Sequence, residues 1–123
     1  MGVIHHAVYP VWFEAARTEF IKQAGMTYTE LEKAGVMLPL TELACKYILP
    51  VHYEDEVNII TETAKLSFSR ITFRYKVMLD EKLMAEGTTT HAFVSTDSFR
   101  PVSIKKAMPE LYEKLRESVV EER

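Results

Sequence analysis

Apolar residues recur at helical spacing near the start of the chain. Tyr9, Phe13, Ala16 and Phe20 fall on one stripe, and Val8, Trp12 and Ala15 form a second stripe beside it. This spacing predicts a helix from about His6 to Ala24. Only Glu14, Arg17, Thr18, Lys22 and Gln23 are clearly polar within it, so the apolar arc is wide. Such a helix is expected to be wrapped by other structure and not laid on a surface. Pro10 falls in the first turn or so, where its missing N–H does little harm, and Gly25 supplies a stop. Thr27 with Glu30 three residues on is a capping-box pattern, which predicts a short second helix ended by Gly35.

From Val36 the pattern turns to strands. Val57–Leu66 is strand-like. Ile71, Phe73, Tyr75, Val77 and Leu79 alternate with Thr72, Arg74, Lys76 and Met78, the period of a half-buried strand. Asp80-Glu81-Lys82 is a short polar turn, Leu83–Ser95 returns as the partner strand, and Arg70–Ser95 reads as a hairpin. Thr96–Pro101 is a turn, and Pro109 opens a terminal helix over Pro109–Glu117. A long apolar helix followed by long antiparallel strands is an α+β pattern, and a sheet curled around the helix is the economical packing. Three or four strands leave part of so apolar a helix bare, which calls for another strand, another subunit, or both.

Composition narrows the function classes. The 123 residues, 47% hydrophobic and 27% charged, are those of an ordinary globular protein and fit a single domain spanning 1–123. Fifteen Lys and Arg against eighteen Asp and Glu give a net charge of −3, which argues against a nucleic-acid partner. Cys45 is alone, so neither an internal disulfide nor a thiolate zinc cluster is expected. No apolar run approaches the roughly 18 residues of a membrane span, and the N-terminus lacks the pattern of a signal peptide. A cytoplasmic location is the default.

The stretch that carries chemistry runs Gly2-Val3-Ile4-His5-His6-Ala7-Val8-Tyr9-Pro10-Val11-Trp12-Phe13-Glu14-Ala15-Ala16-Arg17. It puts a glycine loop and two histidines at the N-terminal end of the helix. Unpaired N–H groups and the positive end of the macrodipole suit a developing oxyanion there, and His6 can exchange protons near neutral pH. Adjacent His5 and His6 have the wrong spacing for two metal ligands on one helix face, so no metal is expected.

This stretch resembles the acyl-CoA thioesterases of the hotdog fold, in the branch of 4-hydroxybenzoyl-CoA thioesterase and the Tol-Pal-associated thioesterases. The family motif reads Asp-x-x-Gly-(Ile/Val)-(Val/Ile)-x-(His/aromatic)-x-x-Tyr, and Gly2, Val3, Ile4, His6 and Tyr9 match it in register. Leu49-Pro50-Val51-His52-Tyr53-Glu54-Asp55-Glu56-Val57 resembles the family's Pro-x-x-Tyr-x-Asp segment, Glu86–Val94 its last long strand, and Arg100-Pro101 its closing turn. The resemblance implies hydrolysis of a small or medium acyl-CoA with no separate cofactor, in a homodimer or a homotetramer whose site lies between subunits. It implies that the His6 N–H polarises the thioester carbonyl, that His6 assists proton transfer, and that Gly2, Tyr9, Ser69 and Arg70 contact substrate. Ser69 and Arg70 belong to Ser67-Phe68-Ser69-Arg70, where family members often bind the CoA phosphates.

The family's attacking carboxylate, an Asp seven residues before His6, falls ahead of Met1, as does the family's first strand. Two expectations follow: a shortened version of an enzyme about ten to fifteen residues longer, or a short form whose catalysis is lost or rearranged. The second matches the alternative function, a non-catalytic module that binds an acyl thioester or serves in an assembly. Asp55 and Glu42 cannot be placed beside His6 from sequence. Among the remaining residues, Glu14 and Arg17 are expected to form an ion pair with each other or with a neighbouring strand. His5 is expected to be a polar residue at a helix start, His52 and His91 to be structural, and Cys45 to be a small buried residue.

Overall fold

In the computed structural model, residues 2–120 are described. Helix α1 (Val8–Gln23) runs against one face of a sheet, and α2 (Tyr28–Lys33) follows after Gly25. Strand β1 (Val36–Met37) leads into β2 (Leu40–Tyr47), β3 (Asn58–Leu66), β4 (Arg70–Leu79) and β5 (Lys82–Ala92). A short β6 (Val94–Ser95), then α3 (Ile104–Ala107) and α4 (Pro109–Glu117), complete the order. The main sheet is antiparallel in the order β2-β5-β4-β3, and β1 pairs with β6 in a separate two-stranded ribbon. This is the expected α+β architecture with the sheet set around the first helix.

The alternation of β4 turns Ile71, Phe73, Tyr75 and Val77 onto the helix side, where all four are buried. Phe13 stacks on Tyr75 with ring centroids 4.4 Å apart and 10° between planes. Gly87 makes this possible, because a Cβ there would stand 2.5 Å from the Phe13 ring and 2.8 Å from the Ala44 carbonyl. The Thr27 Oγ1 accepts the Glu30 N–H at 3.2 Å, so the capping box starts α2 as expected.

The structure departs from the sequence pattern in four places. Helix α1 begins at Val8 and not His6, because the His5 and His6 carbonyls accept the first N–H groups from outside it. Only one side of α1 is covered: Tyr9, Phe13 and Ile21 are buried, while Ala15 is exposed and Val11 is 62% exposed. The expected single strand Leu83–Ser95 is interrupted at Phe93, which enters the core while Val94 and Ser95 leave to pair with β1. Arg17 meets hydroxyls and not a carboxylate: its Nε donates to Tyr28 Oη and its Nη1 to Tyr75 Oη, each at 3.1 Å, while Glu14 lies exposed.

From Arg17 a chain of polar groups crosses the core. Tyr75 Oη lies 2.6 Å from Thr89 Oγ1, His91 Nε2 lies 3.0 Å from the same hydroxyl, and His91 Nδ1 lies 3.1 Å from the Leu38 carbonyl. A carbonyl only accepts, so His91 carries its proton on Nδ1 and Nε2 accepts from Thr89. Thr89 then accepts from Tyr75, and Tyr75 from Arg17. Every hydroxyl donates once and accepts once. Burial, with the Arg17 charge second, lowers the His91 pKa from 6.5 to about 4, so the ring is neutral at pH 7.

The two edges of the sheet are finished differently. Beyond α4 the chain returns to β3, where Val119 bridges Thr63, the Val120 N–H donates to the Thr63 carbonyl, and Ser118 Oγ meets Thr63 Oγ1 at 2.7 Å. Edge strand β2 has no such cover, and Leu40, Leu43 and Tyr47 are about half exposed.

Candidate active site

The segment ahead of α1 is held by the loop after β2. Ile4 N–H donates to the Val51 carbonyl at 2.7 Å, Tyr53 N–H donates to the Gly2 carbonyl at 2.8 Å, and Val3 bridges His52. Gly2 has φ +69°, a left-handed conformation that glycine adopts without strain. Asp55 closes the supporting loop by accepting the His52 N–H at 2.8 Å, with His52 Nδ1 3.6 Å from the same oxygen. Asp55 thus lies beside the Gly2–Val3 segment, a placement that spacing alone did not provide.

At the helix start three backbone donors are used. Ala7 N–H donates to His5 Nδ1 at 3.2 Å, Val8 N–H to the His5 carbonyl at 3.0 Å, and Tyr9 N–H to the His6 carbonyl at 3.3 Å. Pro10 has none to offer. The His5 and His6 N–H groups have no acceptor among the described residues. The first turn of α1 carries no acidic residue to offset the positive end of its macrodipole. His5 therefore does more than decorate a helix start: its ring nitrogen caps Ala7.

His6 also lines a cleft of about 300 Å³, together with Val3, Ile4, Tyr9, Tyr47, Ile48, Leu49 and Pro50. The lining holds no carboxylate, lysine or arginine. Tyr9 is buried, stacks on Trp12 at 5.0 Å and meets the Tyr47 ring edge-on at 4.9 Å. Burial pushes the Tyr9 phenol up, with the neighbouring Cys45 adding to it. Cys45 is half-buried and its thiol is likewise pushed up by burial, so it is no ready nucleophile. A second hollow, lined by Gly2, His52, Tyr53, Glu54 and Asp55, adjoins the cleft at the Gly2–Val3 segment.

His6 and Tyr9 thus line one cleft, and Gly2 lines the hollow next to it. Ser69 and Arg70 are not with them. Arg70 pairs with Ala92 and Tyr47 with Ala85, so seven residues of β5 separate the two ends, about 23 Å along the strand. At that far end the Ser67 Oγ accepts the Arg70 N–H, and Lys105 Nζ stands 5.2 Å over the exposed Phe68 ring. Sequence reasoning missed Tyr47, Ile48 and Leu49. The alternation Leu43, Cys45, Tyr47 against Glu42, Ala44, Lys46 marks β2 and would have put Tyr47 on the helix side.

Residues 1–115 match the family model of the Thioesterase-like superfamily, and the chain belongs to that family. Its fold is the hotdog fold of those proteins. YneP of Bacillus subtilis strain 168 is 32% identical over 120 residues, covering 94% of this chain and 87% of its own length. The acyl-CoA thioesterase YbgC of Haemophilus influenzae is 27% identical over 116 residues, covering 94% of this chain and 85% of its own length. Among solved structures, a DHNA-CoA thioesterase from Staphylococcus aureus superposes with a TM-score of 0.86 at 30% identity, covering all of this chain and 89% of its own.

Proposed function

We propose that the chain hydrolyses the thioester of a small or medium acyl-CoA in the cleft at the start of α1. The observation that carries this reading is the unpartnered His6 N–H beside an uncharged cleft. A thioester carbonyl placed against it receives a hydrogen bond that strengthens as negative charge develops on the oxygen, with the α1 dipole behind it. His6 assists proton transfer, and Gly2 and Tyr9 shape the acyl end. Ser69 and Arg70 hold the CoA phosphates. Hydroxyl and guanidinium donors suit phosphate, and exposed Phe68 and Lys105 beside them support this assignment. Their separation from His6 means either a long substrate along one chain or a site completed by a second copy.

Residues 1–123 act as one domain, in a homo-oligomer. Support comes from the bare edge of β2 with its half-exposed Leu40, Leu43 and Tyr47, and separately from the exposed Val11 of α1. A cytoplasmic location completes the reading; the lone Cys45 suits a reducing compartment. No described helix is long and apolar enough to cross a membrane.

The test is thiol release from a panel of acyl-CoAs, run on this chain and on a version carrying a relative's first strand with its Asp seven residues before His6. Turnover in either supports the enzyme. Turnover in neither, with acyl-CoA bound, turns the assignment to a binding module. Equal turnover in both moves the attacking group inside positions 1–123.

A further inference from the structure

We propose that Tyr47 is a positioning residue that sets the aim of the His6 N–H, an inference that rests on the acyl-thioester reading above. Tyr47 is the last residue of β2 and pairs with Ala85, so the sheet fixes its backbone. From there its Oη donates to the His6 carbonyl at 3.1 Å. At neutral pH a tyrosine hydroxyl keeps its proton and is a fit donor.

His6 is bracketed from both sides. The peptide that carries its N–H is held by the Val8 N–H, which donates to the His5 carbonyl of the same plane at 3.0 Å. The peptide on its other side is held at the His6 carbonyl by two donors, Tyr9 N–H at 3.3 Å and Tyr47 Oη at 3.1 Å. Tyr47 supplies the shorter bond, and the only one that comes from the sheet. Its ring is fixed edge-on to Tyr9 at 4.9 Å and to His6 at 6.4 Å. It also lines the cleft that the N–H serves. Tyr47 therefore ties the height of the helix start to the edge strand forming the opposite wall. A donor for an oxyanion acts only when pointed where charge will develop, and misplacement by about 1 Å costs up to 10²-fold.

Tyr47→Phe keeps the ring and the cleft wall and removes one hydroxyl. Three quantities decide: kcat and KM for thiol release, affinity for a non-hydrolysable acyl-CoA thioether, and the amide ¹H–¹⁵N resonance of His6. The expected result is a fall in kcat of about tenfold, unchanged thioether affinity and Tm, and a displaced His6 resonance. Unchanged kcat with an unmoved His6 resonance overturns the inference. So does a joint loss of affinity, Tm and kcat, which makes Tyr47 a packing residue. If neither the unaltered chain nor the version carrying a relative's first strand releases thiol, the proposed function fails on its own. The His6 resonance then still decides: displaced in the variant, it sustains the positioning role, and unmoved, it refutes it.

Discussion

Two polar networks on α1, one closed and one open, are built by opposite rules. In the middle of the helix Arg17 enters a closed chain through Tyr75, Thr89 and His91 to the Leu38 carbonyl. At the start of the helix His5, His6, Tyr9 and Tyr47 also make a small network of ring nitrogens, hydroxyls and carbonyls, but it opens on a cleft. Inside the core each polar group has a partner, and no described buried side-chain nitrogen or oxygen lacks one; an unmet donor there would cost its full desolvation. At the open end the backbone N–H groups of His5 and His6 have no acceptor among the described residues, and that of His6 sits on a residue lining the cleft. A leftover donor is tolerable where solvent reaches it, and useful where an oxygen gains charge. Residue types are nearly the same at the two ends. Enclosure is what separates a structural network from a candidate reactive one.

The sharpest way to break this comparison is His6→Pro. Proline removes the His6 N–H, and His6 has a negative φ that does not itself forbid the ring. Thiol release should fall by about 100-fold or more, while far-ultraviolet circular dichroism and the unfolding midpoint stay near those of the unaltered chain. Unchanged turnover would mean that the N–H plays no part.

The closed end answers to pH instead. The folded pKa of His91 lies below its unfolded value, so between pH 6.5 and about 4 the unfolded chain binds a proton that the folded chain does not. Stability contributed by neutral His91 is complete above that window and is lost as pH falls through it. The loss amounts to on the order of 3 kcal/mol across the full shift. Urea titrations at pH 7 and pH 4.5 on the chain and on His91→Gln should show a steeper loss in the unaltered chain; parallel losses would refute the assignment. A smaller effect is expected from Tyr75→Phe, which leaves Arg17 without one acceptor and Thr89 without its donor. Its cost should be about 2 kcal/mol in urea unfolding at pH 7, with little change in thioether affinity, because Tyr75 lies away from the cleft.

Much of the fold was legible because burial imposes period. The stripe Tyr9, Phe13, Ala16, Phe20 marks α1, the alternation from Ile71 to Val77 marks β4, and Pro109 starts α4 where the structure has it. What stayed hidden depends on contacts between distant segments. The exposure of Val11 follows from which side of α1 the sheet covers, and nothing in the helix pattern says which. Arg17 turned away from Glu14 because folding brings the Tyr28 and Tyr75 hydroxyls to its side, a pairing across eleven and fifty-eight residues. At the site, Gly2, His6 and Tyr9 were visible because they are nearly contiguous. Tyr47 was not, since it reaches His6 from forty-one residues away. Ser69 and Arg70 entered through resemblance alone, and one protomer leaves them at the far end of the sheet.

The smallest expected effect is also the one that divides the open end into parts. His5 and His6 are neighbours with rings 4.1 Å apart, yet they are given different work. His5 Nδ1 accepts from Ala7 N–H and so closes a donor that would otherwise stand beside that of His6. His5→Ala should therefore cost about 1 kcal/mol or less, the range of a lost helix cap at an exposed site. It should also leave the His6 N–H in place, with thiol release changed by less than about threefold, because the Val8 bond to the residue-5 carbonyl is a backbone bond and survives the substitution. A large loss of turnover in His5→Ala, equal to that of His6→Pro, would show that the site needs the whole capped turn and not one donor. The contrast between an open end with donors to spare and a closed network with none would then have to be redrawn around the turn itself.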